Sequence, residues 1–174
     1  LNNDKNVPQA WGGTGICTSL PAWPATLRAK SIRAFRNFLV AVNVSKDSGA
    51  TWFPHMVKWS TTADPGSVPS SWDETDPTTD AGEADLSDHP SELVDALVMG
   101  DSLILYKEGA YYALQDVGGL AVFRAQMLSS EMGMLARNCA ASFPGGHVVL
   151  ANGFSSAAVI GVVISVDVSL SGNL

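Results

Sequence analysis

Acidic side chains in the middle of the chain are its most obvious candidates for chemistry. Between Trp59 and Tyr106 the sequence has eleven Asp or Glu residues and no Lys or Arg. Paired carboxylates can hydrolyse a glycosidic bond when one acts as acid and the other as base or nucleophile. Asp73, Asp76 and Asp80 are the candidates for such a pair. Their spacing selects no particular two, so it does not predict a glycosidase.

The same acidic run also offers oxygen ligands of the kind that calcium prefers, in sets of about 6–8. Its spacing departs from that of an EF-hand loop, because Pro77 lies inside the run and Gly82 falls at the wrong position. A solvated acidic loop is the favoured interpretation. We therefore expect no metal site and no cofactor.

Other residue types that support catalysis are present but scattered. His55, His89 and His147 lie far apart and near no cysteine, whereas zinc needs clustered nitrogen and sulfur ligands. No serine has the Gly-x-Ser-x-Gly context of a hydrolase nucleophile. The glycines at Gly12–Gly15 lack the lysine and preceding strand of a phosphate-binding loop. We therefore expect a protein that is not an enzyme.

The two cysteines, Cys17 and Cys139, can form at most one disulfide bridge. Because free cysteine is among the most buried residue types, two buried free thiols are favoured.

Charge is distributed unevenly along the chain. The net charge is −7, and an acidic chain is a poor ligand for nucleic acid, since Lys and Arg supply most phosphate affinity. A basic cluster comprising Arg28, Lys30, Arg33 and Arg36 precedes the acidic run. This cluster forms either a solvated face or a partner for the acidic loop, within one subunit or between subunits.

The elements that must position these residues are β-strands. Short apolar, β-branched segments alternate with turns, as in the hairpins 37–59 and 102–115. Similar strand starts recur 64 and then 45 residues apart, measured from Leu39 to Leu103 to Val148. Spacing of about 40–50 residues is typical of β-propeller blades. Residues 28–37 fit a helical turn or a strand, residues 130–135 suggest a short helix, and residues 137–143 suggest a strand.

These patterns predict a mainly β, antiparallel fold with β-propeller-like blades, as a partial propeller or fragment. We divide the chain into a loop-rich segment 1–27, a β-propeller-like domain 28–153 with an acidic insertion 60–95, and a C-terminal β segment 154–174 of open attachment. The longest apolar run, 157–164, is far shorter than the roughly 20 residues of a membrane-spanning helix. We expect no membrane span.

The segment Ser45–Trp52 has the pattern Ser-x-Asp-x-Gly-x-Thr-Trp and resembles the Asp-box hairpin of sialidase-type propellers. Asp47 can accept hydrogen bonds from the turn, Gly49 can take a positive φ, and Trp52 can pack beneath the hairpin. Such boxes are structural and lie away from active sites. The pattern still raises an alternative function, a carbohydrate-binding or sialidase-like β-propeller module, although no arginine trio or Tyr–Glu pair can be assembled.

From Pro21 to Gly153 the sequence resembles tail proteins of short-tailed phages, the nozzle or hub class that includes packaged-DNA stabilisation proteins. The landmarks are Leu20–Pro24, Phe35–Ala41, Val57–Pro65 with Trp72–Asp73, Ala81–Gly82 with Asp85–Leu86, Gly100–Glu108, Val117–Gly119 and His147–Leu150. The resemblance implies a structural virion protein whose propeller-like body forms a hexameric ring on the tail adaptor. It also implies a DNA exit channel that seals or passes the genome, without catalysis or cofactor. Members of the class are several times longer, so this chain would supply part of a propeller.

Within this interpretation the acidic loop is the candidate functional region. Trp59 and Trp72 are expected to anchor it onto the sheet, and Asp64–Pro65 to set its turn. Asp76, Asp80 and Asp85 are expected to face the channel or a neighbouring subunit. A negative channel wall repels phosphate, so double-stranded DNA would pass without specific binding.

Overall fold

The computed structural model describes residues 1–119, 121–152 and 159–164, and the regular structure in these residues consists of β-strands. The short strands β1 (Gln9–Ala10) and β2 (Thr18–Ser19) pair with each other. The remaining strands form three antiparallel sheets. The predicted mainly β, antiparallel fold class is confirmed.

The first sheet is a four-stranded meander in chain order. Its strands are β3 (Arg28–Phe35), β4 (Phe38–Ser45), β5 (Phe53–Trp59) and β6 (Gly82–Asp85). Residues 28–35 are therefore strand and not helix. A bulge at Asn43, where φ is 52°, shifts the β4–β5 register between Val42 and Val44. The bulge lets the Asn43 side chain donate to the Leu93 carbonyl of the next sheet at 3.1 Å.

The second sheet is also a four-stranded meander, and the third has three strands. The second contains β7 (Leu93–Met99), β8 (Ser102–Lys107), β9 (Tyr111–Asp116) and β10 (Phe123–Ser129). The third contains β11 (Ala140–Phe143), β12 (Gly146–Asn152) and β13 (Val159–Ile164). Strand β8 is buried along its whole length, because it lies inside the middle sheet and both faces of that sheet are covered.

The sheets stack face to face in chain order, and three apolar clusters fill the spaces between layers. Phe38, Val40 and Val42 of the first sheet pack against the second sheet. On the opposite face of the first sheet, Ala41 and Val44 pack against the segment 1–27. Each large apolar side chain buried in this way stabilises the fold by about 1.5–3 kcal/mol. Ile104 and Tyr106 of the second sheet pack against Val149 and its neighbours in the third.

The outer face of the third sheet carries exposed apolar side chains. Along β12, His147 and Val149 are buried at 1% and 0%, whereas Val148 and Leu150 are each 40% exposed. Phe143 on β11 is 41% exposed. Within the described residues, the segment 1–27 covers one end of the stack, and these apolar side chains are exposed at the other end.

The second strand of each sheet follows a two-residue turn, at Arg36–Asn37, Gly100–Asp101 and Pro144–Gly145. The similar strand starts seen in the sequence are therefore structurally equivalent hairpins. An ion pair of 3.6 Å joins the Arg36 guanidinium on the first turn to the Asp101 carboxylate on the second. The β-propeller-like arrangement of blades suggested by the spacing stays a prediction.

Two local predictions are wrong. The expected helix at 130–135 is irregular, because its amides bond to other strands: the amide of Met134 donates to the Lys107 carbonyl at 2.8 Å, and that of Leu135 donates to Leu150 at 2.9 Å. The expected strand 137–143 begins only at Ala140, since Asn138 has a φ of 63°.

Of the C-terminal segment 154–174, the strand Val159–Ile164 pairs with β12. The rest of that segment, including the junction at 153–154, lies outside the described residues. Both cysteines are free thiols, but the predicted burial is wrong for Cys17, which is exposed on the segment 1–27. The described residues contain no helix with the length and apolar character needed to cross a membrane.

Candidate functional site

The acidic loop, residues 60–92 between β5 and β7, contains β6 and is held in place by two buried lysines. Lys58 immediately precedes the acidic run and Lys107 immediately follows it. Only 2% of Lys58 and 0% of Lys107 is exposed. Lysine is seldom buried without partners, so the contacts of both amines determine how the loop is fastened.

Lys58 fastens the first part of the loop through a four-residue ion network. Its Nζ donates to Glu74 and, at 3.3 Å, to Glu83. Lys46 on the Asp-box hairpin donates to the same two carboxylates at 3.0 and 2.9 Å. Burial alone would raise the pKa of Glu74, but the hydrogen bonds from Lys58 and Lys46 lower that pKa to about 2. The Glu74 carboxylate is therefore ionised at neutral pH, and both lysines hold it in place.

Lys107 fastens the far end of the loop through backbone carbonyls. Its Nζ donates to the carbonyl oxygens of Leu86 at 2.6 Å and His89 at 2.5 Å. The amine also lies 5.6 Å from the centre of the Tyr112 ring, whose hydroxyl donates to Asp88 at 2.7 Å. Burial lowers the pKa of Lys107.

The two tryptophans selected from the sequence both anchor the loop, but to different parts of the fold. The indole Nε1 of Trp59 donates to the Asp80 carbonyl at 2.9 Å, which ties the loop to the end of β5. Trp72 is only 2% exposed and meets the Trp23 ring edge to face, with centroids 4.6 Å apart. Trp72 therefore fastens the loop between the first sheet and the segment 1–27.

The turn at Asp64–Pro65 is closed by a hydrogen bond from the Ser67 amide to the Asp64 carbonyl at 2.9 Å. Gly66 supplies the positive φ, 85°, that this turn requires. The carboxylate of Asp64 is directed to solvent and makes no contact that would bind the loop to a sheet.

The three carboxylates expected to face a channel or a neighbour differ in their surroundings. Asp76 accepts hydrogen bonds from the Thr78 amide at 2.9 Å and its hydroxyl at 2.7 Å, and these bonds lower its pKa. Asp80 and Asp85 are exposed. Across the part of the chain that the structure describes, no group of three His, Cys, Asp or Glu side chains is arranged to hold a metal ion.

The Asp-box hairpin has the hydrogen bonds that its sequence suggests. Oδ1 of Asp47 accepts from the Thr51 amide at 2.8 Å and from the Ser45 hydroxyl at 2.7 Å. These bonds, that of Thr51 first, lower the pKa of Asp47 to about 2. Gly49 has a φ of 95°, and the Lys30 amine lies 4.2 Å from the centre of the Trp52 ring. These contacts stabilise the conformation of the hairpin.

The loop consequently presents carboxylates to solvent on a fixed backbone. Its internal lysine partners contact Glu74 and Glu83. The carboxylates on exposed positions of the loop are those of Asp64, Asp73, Asp80, Asp85, Asp88 and Glu92. The arrangement repels anions and can meet a cationic surface, and it requires no movement to do either.

A buried carboxylate that sequence reasoning missed joins the sheets. Asp95 on β7 is 0% exposed and accepts hydrogen bonds from the Arg33 guanidinium, the Ser31 hydroxyl and two backbone amides. Burial would raise the pKa of Asp95, but these bonds outweigh it, so the pKa lies below its usual value. The sequence does contain a sign of this residue's role, because a charged residue inside the apolar run Leu93–Val98 indicates a buried ion pair.

Two members of the basic cluster pair with acids of the acidic run between Trp59 and Tyr106, Arg33 with Asp95 and Arg36 with Asp101. Both acids follow the loop 60–92. The Lys30 amine lies 3.5 Å from an oxygen of Asp4. Arg28 donates to backbone carbonyls of the segment 1–27.

Comparison of the sequence with protein-family models and with curated proteins gives no match in either case.

Proposed function

We propose that this chain is a structural, non-catalytic protein of a phage tail, of the nozzle or hub kind, that lines part of a DNA exit channel in the virion. The proposal rests mainly on the acidic loop. Lys58 and Lys107 fix its backbone, while most of its carboxylates remain exposed to solvent. The choice of a phage tail as the assembly comes from the resemblance of residues 21–153 to tail proteins of short-tailed phages.

Electrostatics favour passage of DNA over binding. A wall of fixed carboxylates repels the phosphate backbone, and salt at physiological strength screens exposed charges only beyond about 8 Å. DNA close to the loop would therefore experience repulsion and slide. The loop itself contains no Lys or Arg, and Lys58 and Lys107, which flank the acidic run, are buried.

The first sheet also supports assembly into a homo-oligomeric ring. Its edge strand β3 carries Arg28, whose partners in the described residues are backbone carbonyls, and its opposite edge strand β6 carries the exposed carboxylate of Asp85. Edges of opposite charge favour head-to-tail contacts, and head-to-tail contacts generate closed rings when the rotation closes. We propose a hexamer that also contacts other tail proteins, such as the adaptor.

The stacked meanders are compatible with blades of a partial propeller. Two complete four-stranded meanders and the three strands of the third sheet follow one another, and β3 of the first sheet lies beside β7 of the second. Further blades would come from outside the described residues.

The alternative of a carbohydrate-binding or sialidase-like module has less support from the geometry. Sugar rings stack on exposed aromatic faces, but Trp72 is 2% exposed and covered by Trp23. The Lys30 amine lies over one face of the half-buried Trp52 ring. In the Asp-box hairpin, the carboxylate of Asp47 already accepts hydrogen bonds from Ser45 and Thr51 of the same hairpin. A structural function accounts for these contacts without a bound glycan.

Electron microscopy and native mass spectrometry of the purified chain test the assembly. The expected result is a six-fold ring with an axial channel, which dissociates as salt is raised because its contacts are charged. Particles that remain monomeric at both low and high salt would overturn the proposed ring.

A charge test on the same rings examines the channel. Asp76→Asn, Asp80→Asn and Asp85→Asn remove charge together but keep the oxygen that Thr78 bonds to. We expect the native ring to leave a short DNA duplex unbound and the triple variant to retain more of it. Glu108→Gln with Glu131→Gln, at exposed positions outside the loop, is the control. Equal retention by the native and triple-variant rings would contradict the channel assignment.

A further inference from the structure

A cavity of about 470 Å³ lies along the outer edge of strand β3, which is an edge strand of the first sheet. The successive residues 30–34 all line it, although neighbours in a strand point to opposite faces, so the cavity lies beside the strand. The segment 1–27 and the residues just before β11 form other parts of its wall. Its volume falls in the range of about 300–1,000 Å³ that is usual for small-molecule sites.

The charge of the cavity wall is opposite to that of the whole chain. Lys30, Arg33 and Arg137 line the cavity, whereas none of the described residues that line it is Asp or Glu. The chain as a whole has a net charge of −7. The Lys30 amine lies 3.5 Å from an oxygen of Asp4, which leaves the two arginines as the groups that can attract an anion.

Arg33 is held in a fixed position by a partner behind the cavity wall. Its Nε and Nη2 donate to Asp95, which is fully buried and does not line the cavity. Because the guanidinium is planar, the remaining nitrogen, Nη1, lies on the side away from Asp95. Nη1 has no hydrogen-bond partner among the described residues, and the side chain is 36% exposed. Arg33 therefore offers an accessible, positioned donor.

Arg137 also has donors to spare. Its Nη1 donates to the Lys30 carbonyl at the edge of β3, while its Nε and Nη2 have no partner in the part of the chain that the structure describes. No carboxylate of these residues lies within 4.0 Å of the Arg137 guanidinium, and the residue is exposed. Two cations that line one cavity repel each other, and a bound anion would relieve that repulsion.

Apolar side chains form another part of the wall. Leu20, Ile32 and Leu39 line the cavity, and Ile32 and Leu39 are only partly buried against the core. An inorganic ion would leave these two side chains in water, whereas a ligand with an apolar part would cover them. Burial of apolar surface is favourable at about 25 cal/mol per Å².

We infer that this cavity binds a small organic anion, with its carboxylate or phosphate group at Arg33 and Arg137 and its apolar part against Ile32 and Leu39. Guanidinium groups bind the oxygens of both kinds of anion through paired, charge-assisted hydrogen bonds. Contacts within the protein already restrain both arginines, so binding requires little further ordering of their side chains. The inference is independent of the proposed tail function, since either can hold without the other.

Nuclear magnetic resonance titration of the native chain tests the site directly. Benzoate, hexanoate and phenyl phosphate are added separately. The Arg137 Nε–H signal is assigned by its loss in Arg137→Gln, and the Ile32 methyl signals by their loss in Ile32→Val. We expect both sets of signals to shift saturably, with one common Kd, for at least one anion. The stronger of benzoate and phenyl phosphate then shows which anionic group the site prefers.

Matched ligands separate the two halves of the site. Benzyl alcohol and 1-hexanol keep the apolar part without the charge, and inorganic phosphate keeps the charge without the apolar part. Each should bind at least about tenfold more weakly than the organic anion it resembles, because a hydrogen bond to a charged group is worth about 1.5–3 kcal/mol.

Two glutamine variants make the test specific. Arg137→Gln and Arg124→Gln each remove one positive charge from an exposed position, but only Arg137 lines the cavity. We expect a loss of affinity of about tenfold or more in Arg137→Gln and unchanged affinity in Arg124→Gln. Both variants should stay folded, since neither arginine is buried.

Three results would overturn the inference. The first is the absence of a saturable shift with all three anions. The second is an equal effect of the two glutamine variants, which would mean that the anions respond only to net charge. The third is an Arg137 signal that shifts with protein concentration when no anion is added, which would assign the cavity to a carboxylate of a second copy.

Discussion

Arg33 and Asp95 form a two-pronged ion pair where the first and second sheets meet. Nε of Arg33 donates to Oδ1 of Asp95 at 2.9 Å, and Nη2 donates to Oδ2 at 2.6 Å. The same carboxylate accepts from the Asn138 amide at 3.0 Å, in the segment that leads to the third sheet. One buried acid thus joins parts of the chain that lead into all three sheets.

Removal of this acid should be strongly destabilising. Asp95→Ala leaves the Ser31 hydroxyl and two backbone amides without their acceptor and Arg33 without its counter-charge. We expect a loss of about 3 kcal/mol in the free energy of unfolding, near the lower end for a broken buried pair, because Arg33 is 36% exposed. Urea denaturation measures the change. Asp4→Ala, which breaks the solvent-exposed pair with Lys30, should cost below about 1 kcal/mol, and equal costs would contradict the assignment.

Acid should unfold the protein through carboxylates whose pKa is lowered in the folded state. The pKa of Glu74 is lowered to about 2 and that of Asp95 lies below its usual value. Unfolded carboxyls titrate at about pH 4, so the stabilisation is complete above that pH and is lost as pH falls towards 2. Thermal denaturation between pH 7 and pH 2 should show this decline. Glu74→Gln and Asp95→Asn should each flatten it, and an unchanged slope would contradict the assignment.

Lys107 should control the far end of the acidic loop. Lys107→Met keeps most of the buried volume but leaves the Leu86 and His89 carbonyls without a donor, at an expected cost of about 2 kcal/mol. Hydrogen exchange should accelerate at the Leu86 amide, which donates to His55. Lys46→Met is the control, since that side chain is 39% exposed and its pairs should be worth below about 1 kcal/mol. Higher stability in Lys107→Met would mean that the desolvation of the amine outweighs its hydrogen bonds.

Gly82 should tolerate no side chain. A Cβ atom there would lie 2.6 Å from Cζ2 of Trp59, so Gly82→Ala must displace the indole and break its bond to Asp80. We expect a loss of about 2 kcal/mol, as for an overpacked core, together with a shifted Trp59 indole signal. Gly12→Ala, where a Cβ meets nothing within 4 Å, should leave stability within about 0.5 kcal/mol. Equal stability of the two variants would show that Trp59 can move freely.

Much of the strand content could be predicted from the sequence, because strand alternation and turn chemistry are local. Phe38–Ser45 and Ser102–Lys107 are apolar, β-branched runs that follow turns, and both form central strands. The predicted helix at 130–135 failed since its amides bond to Lys107 and Leu150, which are distant in sequence. Local propensity contains no information about such partners.

The parts of the candidate site that depend on long-range pairing could not be predicted. The position of Lys58 and Lys107 at the two ends of the acidic run is visible in the sequence, but their burial is not. Lys58 meets Glu83 because β6 returns beside β5, and it meets Glu74 because the loop before β6 folds back over the sheet. Likewise, the burial of Trp72 depends on its packing against the segment 1–27.

The exposed apolar face of the third sheet makes one end of the stack of sheets different from the other. Val148 and Leu150 are exposed at that end, while the segment 1–27 already covers the opposite end of the stack. A second copy that docks its own third sheet on Val148 and Leu150 would make a self-complementary contact, and that contact would close after two molecules. A contact of this kind stops at a dimer, so the larger ring proposed above would need a different surface, such as the edges of the sheets.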